Sequence, residues 1–504
     1  MILKPKILLL TSELFPRFGY PTAGGGVRAQ QLYDSLTSSG FQVELGILKS
    51  SVEGKKLPDW AGKYLYHPSW LDGLIEQADP DVVISESWEP LSHLRFSDQR
   101  VYVADCPGPL ILESLLGGQE DLRSSVFHKV RTLSRVDAIL CPNRPMRHYL
   151  TSYLTLAGWP PDQPERIHPL PIALSQDLPA RKPAADSQLC LFFGGISWAW
   201  HQSTAWLLSL ADQIHSMNWG KIIVRTGPHP HHHLDESLYE PIPEQVRDHP
   251  SIHLKPLTDW NSLVEDLCSI PLAIEWSPRH LERELASTLR LVTYLWCGVP
   301  VIIRPHLDLA GEVADYQAGW IIDEWEDLLA LLKDIQQNPG ILRTRSENAL
   351  KLARDRHQSA LYQDSLADFL ATLKKRDPSP SFLDHASSTF RFQEEVIHAQ
   401  EQRILNLDHQ NQSLEEALKT RDSLILQRDQ DLAAVHNLVK TKDLEIMGRD
   451  QSAQGLHENL QACLAEIQNL QQQIRQEHTD AESYRAIRQK FIYKMWKRLS
   501  GWMK

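Results

Sequence analysis

The sequence predicts an α/β protein with two domains of similar size that face a cleft, followed by a long α-helical coiled coil. Three observations support this prediction. Short apolar runs alternate with helical patterns, the alternation is interrupted once before it resumes, and no proline follows Pro380. Because such alternation is typical of parallel strands joined by crossover helices, each domain is expected to be Rossmann-like.

The two domains are placed by their apolar runs. Residues 1–172 contain "KILLLTS", "FQVELGIL", "DVVISES", "RVYVAD" and "DAILCP". A stretch rich in proline and small residues follows, and we place a linker at 173–188. Residues 189–375 then contain "LCLFFGG", "KIIVRTG", "SIHLKPL", "LAIEWS" and "VPVIIRP". Each run predicts one strand.

Composition limits the classes of function. A chain of 504 residues is too long for one core, and its net charge of −12 makes nucleic acid an improbable main partner. The six cysteines form no CxxC pair, which suits a reducing compartment. The apolar run at the N-terminus is short and lacks a cleavage motif, and no apolar stretch approaches 20 residues. We therefore expect a cytoplasmic protein.

A heptad pattern predicts a coiled coil over 390–480. Steps of seven from Ile404 reach Asn411 and then nine apolar residues, namely Leu418, Ile425, Leu432, Val439, Ile446, Ala453, Leu460, Ile467 and Ile474. The d positions are weaker, since four are basic: Arg421, Arg428, Lys442 and Arg449. A continuous helix over 397–474 would be about 115 Å long. The pattern favours a parallel homodimer, with a trimer or a lone solvated helix as alternatives.

The C-terminal tail, 487–504, combines aromatic and basic residues in "FIYKMWKRLSGWMK". Aromatic rings beside basic heads suit an anionic membrane surface, so peripheral attachment to the cytoplasmic face of the inner membrane is one hypothesis. Packing of the rings on the protein or on a partner is the alternative.

Three local features are candidates for a site. The run Gly24-Gly25-Gly26 follows the first strand and precedes a helix, so it could hold a phosphate or form a loop. Glu86 and Trp88 follow another strand, where they could contact a ligand or cap the strand. The histidines of "GPHPHHHLDE" suggest a surface or cleft loop, with His229 lining the cleft, rather than a fixed metal site.

The order of several motifs resembles the GT-B glycosyltransferases, and more narrowly the bacterial glycosyltransferase family 4. These motifs are "GGGVRAQQL", "YVADCPGPLILESL", "LFFGGISWAWHQSTAWLL", "KIIVRTGPHP", "ERELASTLRLVTYLWCGVPVI" and "DLAGEVADYQAGWII". The resemblance covers about residues 5 to 345. It implies a nucleotide-sugar donor in the cleft and no metal or redox cofactor.

The resemblance also implies roles for particular residues. Donor binding is assigned to Gly24, Gly25, Gly26, Arg28, Gly194, Gly195, Arg225, Glu282, Arg290 and Thr293. Acceptor binding is assigned to Glu86, Trp88, Asp105 and Glu113, and catalysis to Asp105 and Glu282.

Two departures from the family pattern stand out. Thr293 occupies the place of the second acidic residue, and "GGISWAWHQST" lacks the cations that clamp the diphosphate. Arg225, Arg279 and Arg290 are the candidates to replace those cations.

These features predict a retaining glycosyltransferase of bacterial surface glycan assembly, acting on a saccharide or lipid-linked acceptor. A catalytically degenerate scaffold is the alternative. A dinucleotide oxidoreductase is disfavoured because no GxGxxG turn occurs.

Overall fold

The computed structural model of the protein describes residues 4–118, 121–160, 163–182, 189–232, 234–377, 387–446, 461–473 and 475–477. Contacts divide the chain into two compact units, Met1–Phe390 and Arg391–Lys504. The first unit contains two parallel sheets, one for each predicted Rossmann-like domain.

The N-terminal domain contains seven strands: β1 (Lys6–Thr11), β2 (Gln42–Leu48), β3 (Tyr64–Tyr66), β4 (Val82–Ser85), β5 (Val101–Asp105), β6 (Ala138–Cys141) and β7 (Ile167–Pro169). They form one parallel sheet in the order β3-β2-β1-β4-β5-β6-β7. Its helices are α1 (Gly24–Ser38), α2 (Leu71–Ala78), α3 (Leu110–Leu116), α4 (Leu122–Leu133) and α5 (Arg144–Leu156).

Both faces of this sheet are covered, as expected for parallel strands joined by helices. In β1, Leu8 and Leu10 belong to one buried cluster, whereas Ile7 and Leu9 belong to another on the opposite face. The near-continuous apolar sequence of β1 follows from this burial on two sides.

The C-terminal domain contains six strands: β8 (Leu189–Ile196), β9 (Gly220–Gly227), β10 (Ile252–Lys255), β11 (Leu272–Glu275), β12 (Val301–Ile303) and β13 (Gly319–Ile321). Their order is β10-β9-β8-β11-β12-β13, again parallel throughout. Its helices are α6 (Ser203–Ser216), α7 (Glu244–Arg247), α8 (Trp260–Leu267), α9 (Leu281–Leu285), α10 (Leu289–Trp296), α11 (Ala310–Asp315), α12 (Trp325–Gln337) and α13 (Ile341–Arg356).

The last helix of the first unit, α14 (Ala360–Thr372), returns to the N-terminal domain. Leu366 and Leu370 are buried in the same cluster as Ile7 and Leu9 of β1. After the helix, the backbone N–H of Arg376 donates to Asp137 Oδ1 at 2.7 Å. The predicted boundary at 375 is therefore wrong, because α14 completes the first domain.

The second unit contains α15 (Ser387–Ile446) and a helical segment at 461–473. Arg421 of α15 forms an ion pair with Glu477. On one straight helix these residues would be about 84 Å apart, so the two described segments do not belong to one straight helix. The predicted continuous rod over 397–474 is therefore wrong.

The predicted heptad stripe on α15 is partly covered. Leu418, Ile425 and Leu432 at a positions are half-buried, whereas Leu414 and Val435 at d positions are exposed. The tail at 487–504 lies outside the described residues. Across the part of the chain that the structure describes, no helix is long and apolar enough to cross a membrane.

Candidate functional site

The candidate site lies where the first turn of each domain reaches the cleft. β1 leads through a loop into α1, and β8 leads through Gly194 and Gly195 towards α6. Both strands are central in their sheets, and open α/β sheets bind ligands at the carboxyl ends of such strands. A Cβ on Gly24 would lie 3.6 Å from Leu289 Cδ2, so the start of α1 faces α10 of the other domain.

The glycine run forms the first turn of α1 and is tightly enclosed. Its cap residue, Ala23, has no side chain that can accept a hydrogen bond from the first helical amides. A Cβ on Gly26 would lie 2.1 Å from the Leu14 carbonyl oxygen, and one on Gly25 would lie 2.9 Å from Glu13 Cγ. The run is therefore an ordered helix N-terminus with uncapped amides, which is a common site for anions.

The end of β8 brings three predicted donor residues together at Gly194 and Gly195, a pair that we call the Gly195 turn. Gly195 has a φ of 136°, and a Cβ there would lie 3.1 Å from Arg290 Cζ. Arg290 Nη1 lies 3.2 Å from Glu275 Oε2, yet neither atom makes a hydrogen bond to any described residue. The Gly194 N–H donates to the Tyr294 hydroxyl at 3.1 Å. A partly unsatisfied guanidinium thus lies directly against the turn.

Two neighbouring histidines, the buried His201 beside Arg290 and the half-buried His280, also have unpaired ring nitrogens. His201 Nε2 and both nitrogens of His280 lack hydrogen-bond partners within the described ranges. Burial, together with the positive charges of Arg290 and Arg283, holds the pKa of His201 well below its ordinary value. Neutral imidazoles can donate or accept hydrogen bonds, so both rings could serve a polar ligand.

The N-terminus of α6 is occupied by a carboxylate of the protein itself. Glu240 accepts hydrogen bonds from the amides of Ser203 at 2.6 Å and Thr204 at 2.8 Å. It also accepts from the hydroxyls of the same two residues, at 2.7 and 2.6 Å. An external phosphate would have to displace Glu240 to bind these amides. Sequence reasoning missed this residue because it lies 36 positions after Thr204.

The other candidate cations are engaged elsewhere. Arg225 forms an ion pair with Asp266 and donates to the Pro256 carbonyl oxygen at 2.7 Å. Arg279 is exposed and pairs with Glu284 at 2.7 Å. Of the three arginines predicted to replace the diphosphate clamp, Arg290 is the one that lies at the Gly195 turn.

Thr293 does not present its hydroxyl as a ligand group. Its side chain is buried within α10, where Oγ1 donates to the Leu289 carbonyl oxygen at 3.0 Å. A threonine hydroxyl in a helix commonly donates to the carbonyl oxygen four residues earlier. The prediction that Thr293 contacts the donor is therefore not supported by its position.

Glu282 contributes to a charged wall of the cleft. It is buried and pairs with its neighbour Arg283. Glu113 lies close by, and burial together with the negative charge of Glu282 raises its pKa to about 7. Lys129 is also buried, with Nζ 4.0 Å from the Tyr153 ring centroid, and burial lowers its pKa to about 8. This wall contains the predicted Glu282 and Glu113, and it adds Arg283 and Lys129.

Arg28 and Asp105 form a buried ion pair inside the N-terminal domain. Arg28 Nε and Nη2 donate to Asp105 at 2.6 and 3.0 Å, and neither side chain is exposed. Arg28 also donates to the Pro171 carbonyl oxygen, which ties α1 to the end of the domain. We therefore revise the predicted catalytic role of Asp105 and the predicted donor contact of Arg28, because both groups are already neutralised and inaccessible.

Of the two residues predicted after β4, Glu86 faces the glycine run and Trp88 does not face the cleft. A Cβ on Gly25 would lie 3.4 Å from Glu86 Oε2. Glu86 accepts from the Ser12 amide at 2.8 Å, and burial with the charge of Glu13 raises its pKa to about 7. Trp88 is buried in the core of the domain, so its predicted acceptor contact is not supported.

Glu13 was missed as a site residue, and the histidine loop after β9 converges on it. His229 Nε2 and His232 Nε2 lie 3.0 and 2.9 Å from Glu13 Oε1. His231 Nε2 lies 3.9 Å from Glu13 Oε2. The sequence analysis predicted a surface or cleft loop rather than a fixed metal site, and it did not anticipate that these rings would surround one carboxylate. Glu13 follows the carboxyl end of β1, and the strand-end argument that found Glu86 could have found it.

Comparison with known proteins supports the fold. No protein-family model matches the sequence, and no curated protein sequence matches it. Among solved structures, the chain is similar to sucrose-phosphate synthase from Thermosynechococcus elongatus, at 13% identity and a TM-score of 0.53, covering 72% of this chain and 97% of that one. It is also similar to Anabaena HepE in complex with UDP-glucose, at 13% identity and a TM-score of 0.52, covering 73% and 100%.

A third similar structure is WaaG, described as a glycosyltransferase involved in lipopolysaccharide biosynthesis. Its identity is 14% and its TM-score 0.52, with 73% of this chain and 100% of that chain covered. Together with the two parallel sheets, these similarities show that the first unit has the GT-B fold.

Proposed function

We propose that the protein is a glycosyltransferase that moves a sugar from a nucleotide-diphosphate donor to a saccharide or lipid-linked glycan, with retention of configuration. One observation carries this proposal: on a GT-B fold, Arg290, which is ion-paired with Glu275 but only partly hydrogen-bonded, lies at the Gly195 turn and across the cleft from the uncapped N-terminus of α1. Amides and a cation together can stabilise a leaving diphosphate.

The donor class is supported by a structural neighbour and by local charge. HepE was solved with UDP-glucose. In this chain the diphosphate would bind the amides of Gly24 and Gly25 on one side and Arg290 on the other. The sugar would then face the wall formed by Glu113, Glu282 and Arg283. This chemistry requires no redox cofactor.

The biological setting is an extension of the same proposal. WaaG acts in lipopolysaccharide biosynthesis, and an acceptor of that kind would place the protein at the cytoplasmic face of a bacterial inner membrane. The tail at 487–504 would contact anionic lipid, and the heptad stripe of α15 would hold two copies together, with three copies as the alternative. Nucleic acid is not a proposed partner.

A panel of UDP-, GDP-, ADP- and dTDP-sugars tests the proposal, with release of free nucleoside diphosphate as the readout. We expect turnover with at least one donor, and a loss of about 100-fold in kcat/KM for Arg290→Ala. Arg343→Ala is a matched control, since Arg343 is exposed on α13 and pairs with Glu347. Equal activity of the two variants would show that Arg290 does not act in donor binding or catalysis.

A degenerate scaffold is the second candidate, and Glu240 favours it. The Glu240 carboxylate accepts hydrogen bonds from the first amides of α6. The Thr293 hydroxyl donates to a carbonyl oxygen within its own helix, α10. Such a protein would bind a nucleotide sugar or a partner without turnover. Binding of UDP by calorimetry, combined with no release from any donor, would favour the scaffold over the enzyme.

A further inference from the structure

Glu13 and the histidine loop form a compact set of metal-ligand atoms between the two domains. One ligand atom from each of Glu13, His229 and His232 lies within 4.8 Å of the other two. Glu13 follows β1 of the N-terminal domain, and the histidines follow β9 of the C-terminal domain. Two imidazoles and a carboxylate form a ligand set that Zn²⁺ uses in proteins.

The spacing of these atoms is close to that of a bound ion. Ligands at about 2.0–2.1 Å from Zn²⁺ in a tetrahedron are roughly 3.3 Å apart. The distances from Glu13 Oε1 to His229 Nε2 and His232 Nε2 are 3.0 and 2.9 Å. These two distances are within a few tenths of an ångström of the separation expected between two ligands of one ion.

Unpaired buried atoms give a second, independent observation. Glu13 Oε2 and both ring nitrogens of His231 have no hydrogen-bond partner within the described residues. Both side chains are more than nine-tenths buried, and Glu13 Oε2 lies 3.9 Å from His231 Nε2. Burying unpaired polar atoms is costly, and a cation between them would satisfy both.

The local charge also favours a cation. His232 lies in the field of three carboxylates, those of Glu13, Glu86 and Glu89. A divalent ion would offset this accumulation of negative charge beside the first amides of α1.

We propose that Glu13, His229 and His232 bind a Zn²⁺ ion that joins the two domains at the glycine end of the cleft, with His231 available as a fourth ligand. His229 Nδ1 accepts long hydrogen bonds from the amides of His231 and His232, at 3.3 and 3.2 Å. Binding through Nε2 moves the ring proton to Nδ1 and gives up these two bonds. The proposal does not depend on glycosyl transfer.

The test measures zinc in the full-length chain. After equilibration with Zn²⁺ and exhaustive dialysis, we expect about one zinc per chain by elemental analysis, and a higher unfolding temperature with zinc than after chelation. His232→Ala and Glu13→Gln should each weaken zinc binding by at least about 100-fold in a chelator competition. His253→Ala, which changes an exposed histidine on β10, should bind zinc like the unmodified protein.

Folding of the variants is checked without zinc by circular dichroism. A variant that stays folded but gains no stability from zinc supports the proposal. Co²⁺ adds a measurement on the unmodified protein, since its visible spectrum reports tetrahedral nitrogen and oxygen ligands. Failure of the unmodified protein to retain zinc, or retention by His232→Ala at the same affinity, would overturn the site and leave a hydrogen-bonded cluster of Glu13 with its histidines.

Discussion

The N-termini of α1 and α6 have equivalent positions in the two domains, but they differ in whether a side chain caps their amides. Each begins the α-helix that follows a central strand, but α1 starts with glycines, whereas Gly194 and Gly195 of the second domain lie in β8, ahead of α6. At α1 the cap is Ala23 and the amides have no side-chain cap, whereas at α6 Glu240 accepts from two amides and two hydroxyls. A helix N-terminus after a central strand is therefore not sufficient for anion binding, because a carboxylate of the protein can accept from its amides.

Gly26→Ala should have the largest effect, because it tests the close packing that holds the α1 turn in place. The added Cβ would meet the Leu14 carbonyl oxygen at 2.1 Å and Thr22 Oγ1 at 2.2 Å. We expect destabilisation of about 3 kcal/mol or more, measured by chemical unfolding. Gly24→Ala is the control, since its Cβ would make only a 3.6 Å contact with Leu289. Equal stability of the two variants would contradict this packing.

Glu240→Ala removes the occupant of the α6 turn. The loss of its hydrogen bonds should destabilise the protein by about 2 kcal/mol, measured by thermal unfolding. The uncovered amides should then bind inorganic phosphate or UDP more tightly than in the unmodified protein, measured by calorimetry. Glu236→Ala, an exposed change on the same segment, should alter neither quantity. Unchanged anion affinity would show that Glu240 does not block the turn.

Ala23→Asp performs the reverse experiment by giving α1 a cap of its own. An aspartate at the cap position can accept from the helical amides, so stability should stay the same or rise by about 0.5–1 kcal/mol. If the α1 amides bind the donor diphosphate, KM for the nucleotide sugar should rise by about 10-fold. Ala23→Ser provides a neutral cap for comparison. An unchanged KM in Ala23→Asp would show that the glycine run does not bind the donor and has only a structural role.

Glu113→Gln tests the charged wall between the two turns and should have the smallest effect. The pKa of Glu113 is raised to about 7 in the folded protein, so folding favours its protonated form. Its contribution to stability is therefore present at low pH and is lost as the pH rises through about 7. The variant should be more stable than the unmodified protein at pH 8 by about 1 kcal/mol, and similar at pH 5. Parallel unfolding temperatures of the two proteins across this range would contradict the shift.

All the central strands of the two sheets could be predicted from the sequence, together with one edge strand, β10. Every predicted apolar run contains a strand of the structure, from β1 to β12. The strands that the sequence analysis missed are β3, β7 and β13, each of three residues and each at a sheet edge. Edge strands are buried less completely and need fewer apolar residues, so they leave a weaker pattern.

The site was less predictable because its pairings are remote in sequence. Gly195, Arg290 and Glu282 were proposed from motif order. The structure places Arg290 against Gly195 and buries Glu282 beside Arg283, and the roles of these residues stay predictions. The partners of Arg28, Asp105 and Arg225 could not be inferred, since each pair joins different elements. Glu240 and Glu13 likewise contact residues that are remote in sequence, and the loops that bring them together carry no local pattern that specifies their paths.

The return of α14 to the first domain has a consequence for synthesis on the ribosome. Leu366 and Leu370 cover one face of the sheet that begins with Ile7 and Leu9. The N-terminal domain cannot close its core until about 360 further residues have been translated, including the whole of the second sheet. The two domains therefore complete folding together, although they are separate in sequence, and a chain that stops before α14 would leave a hydrophobic groove open to chaperones.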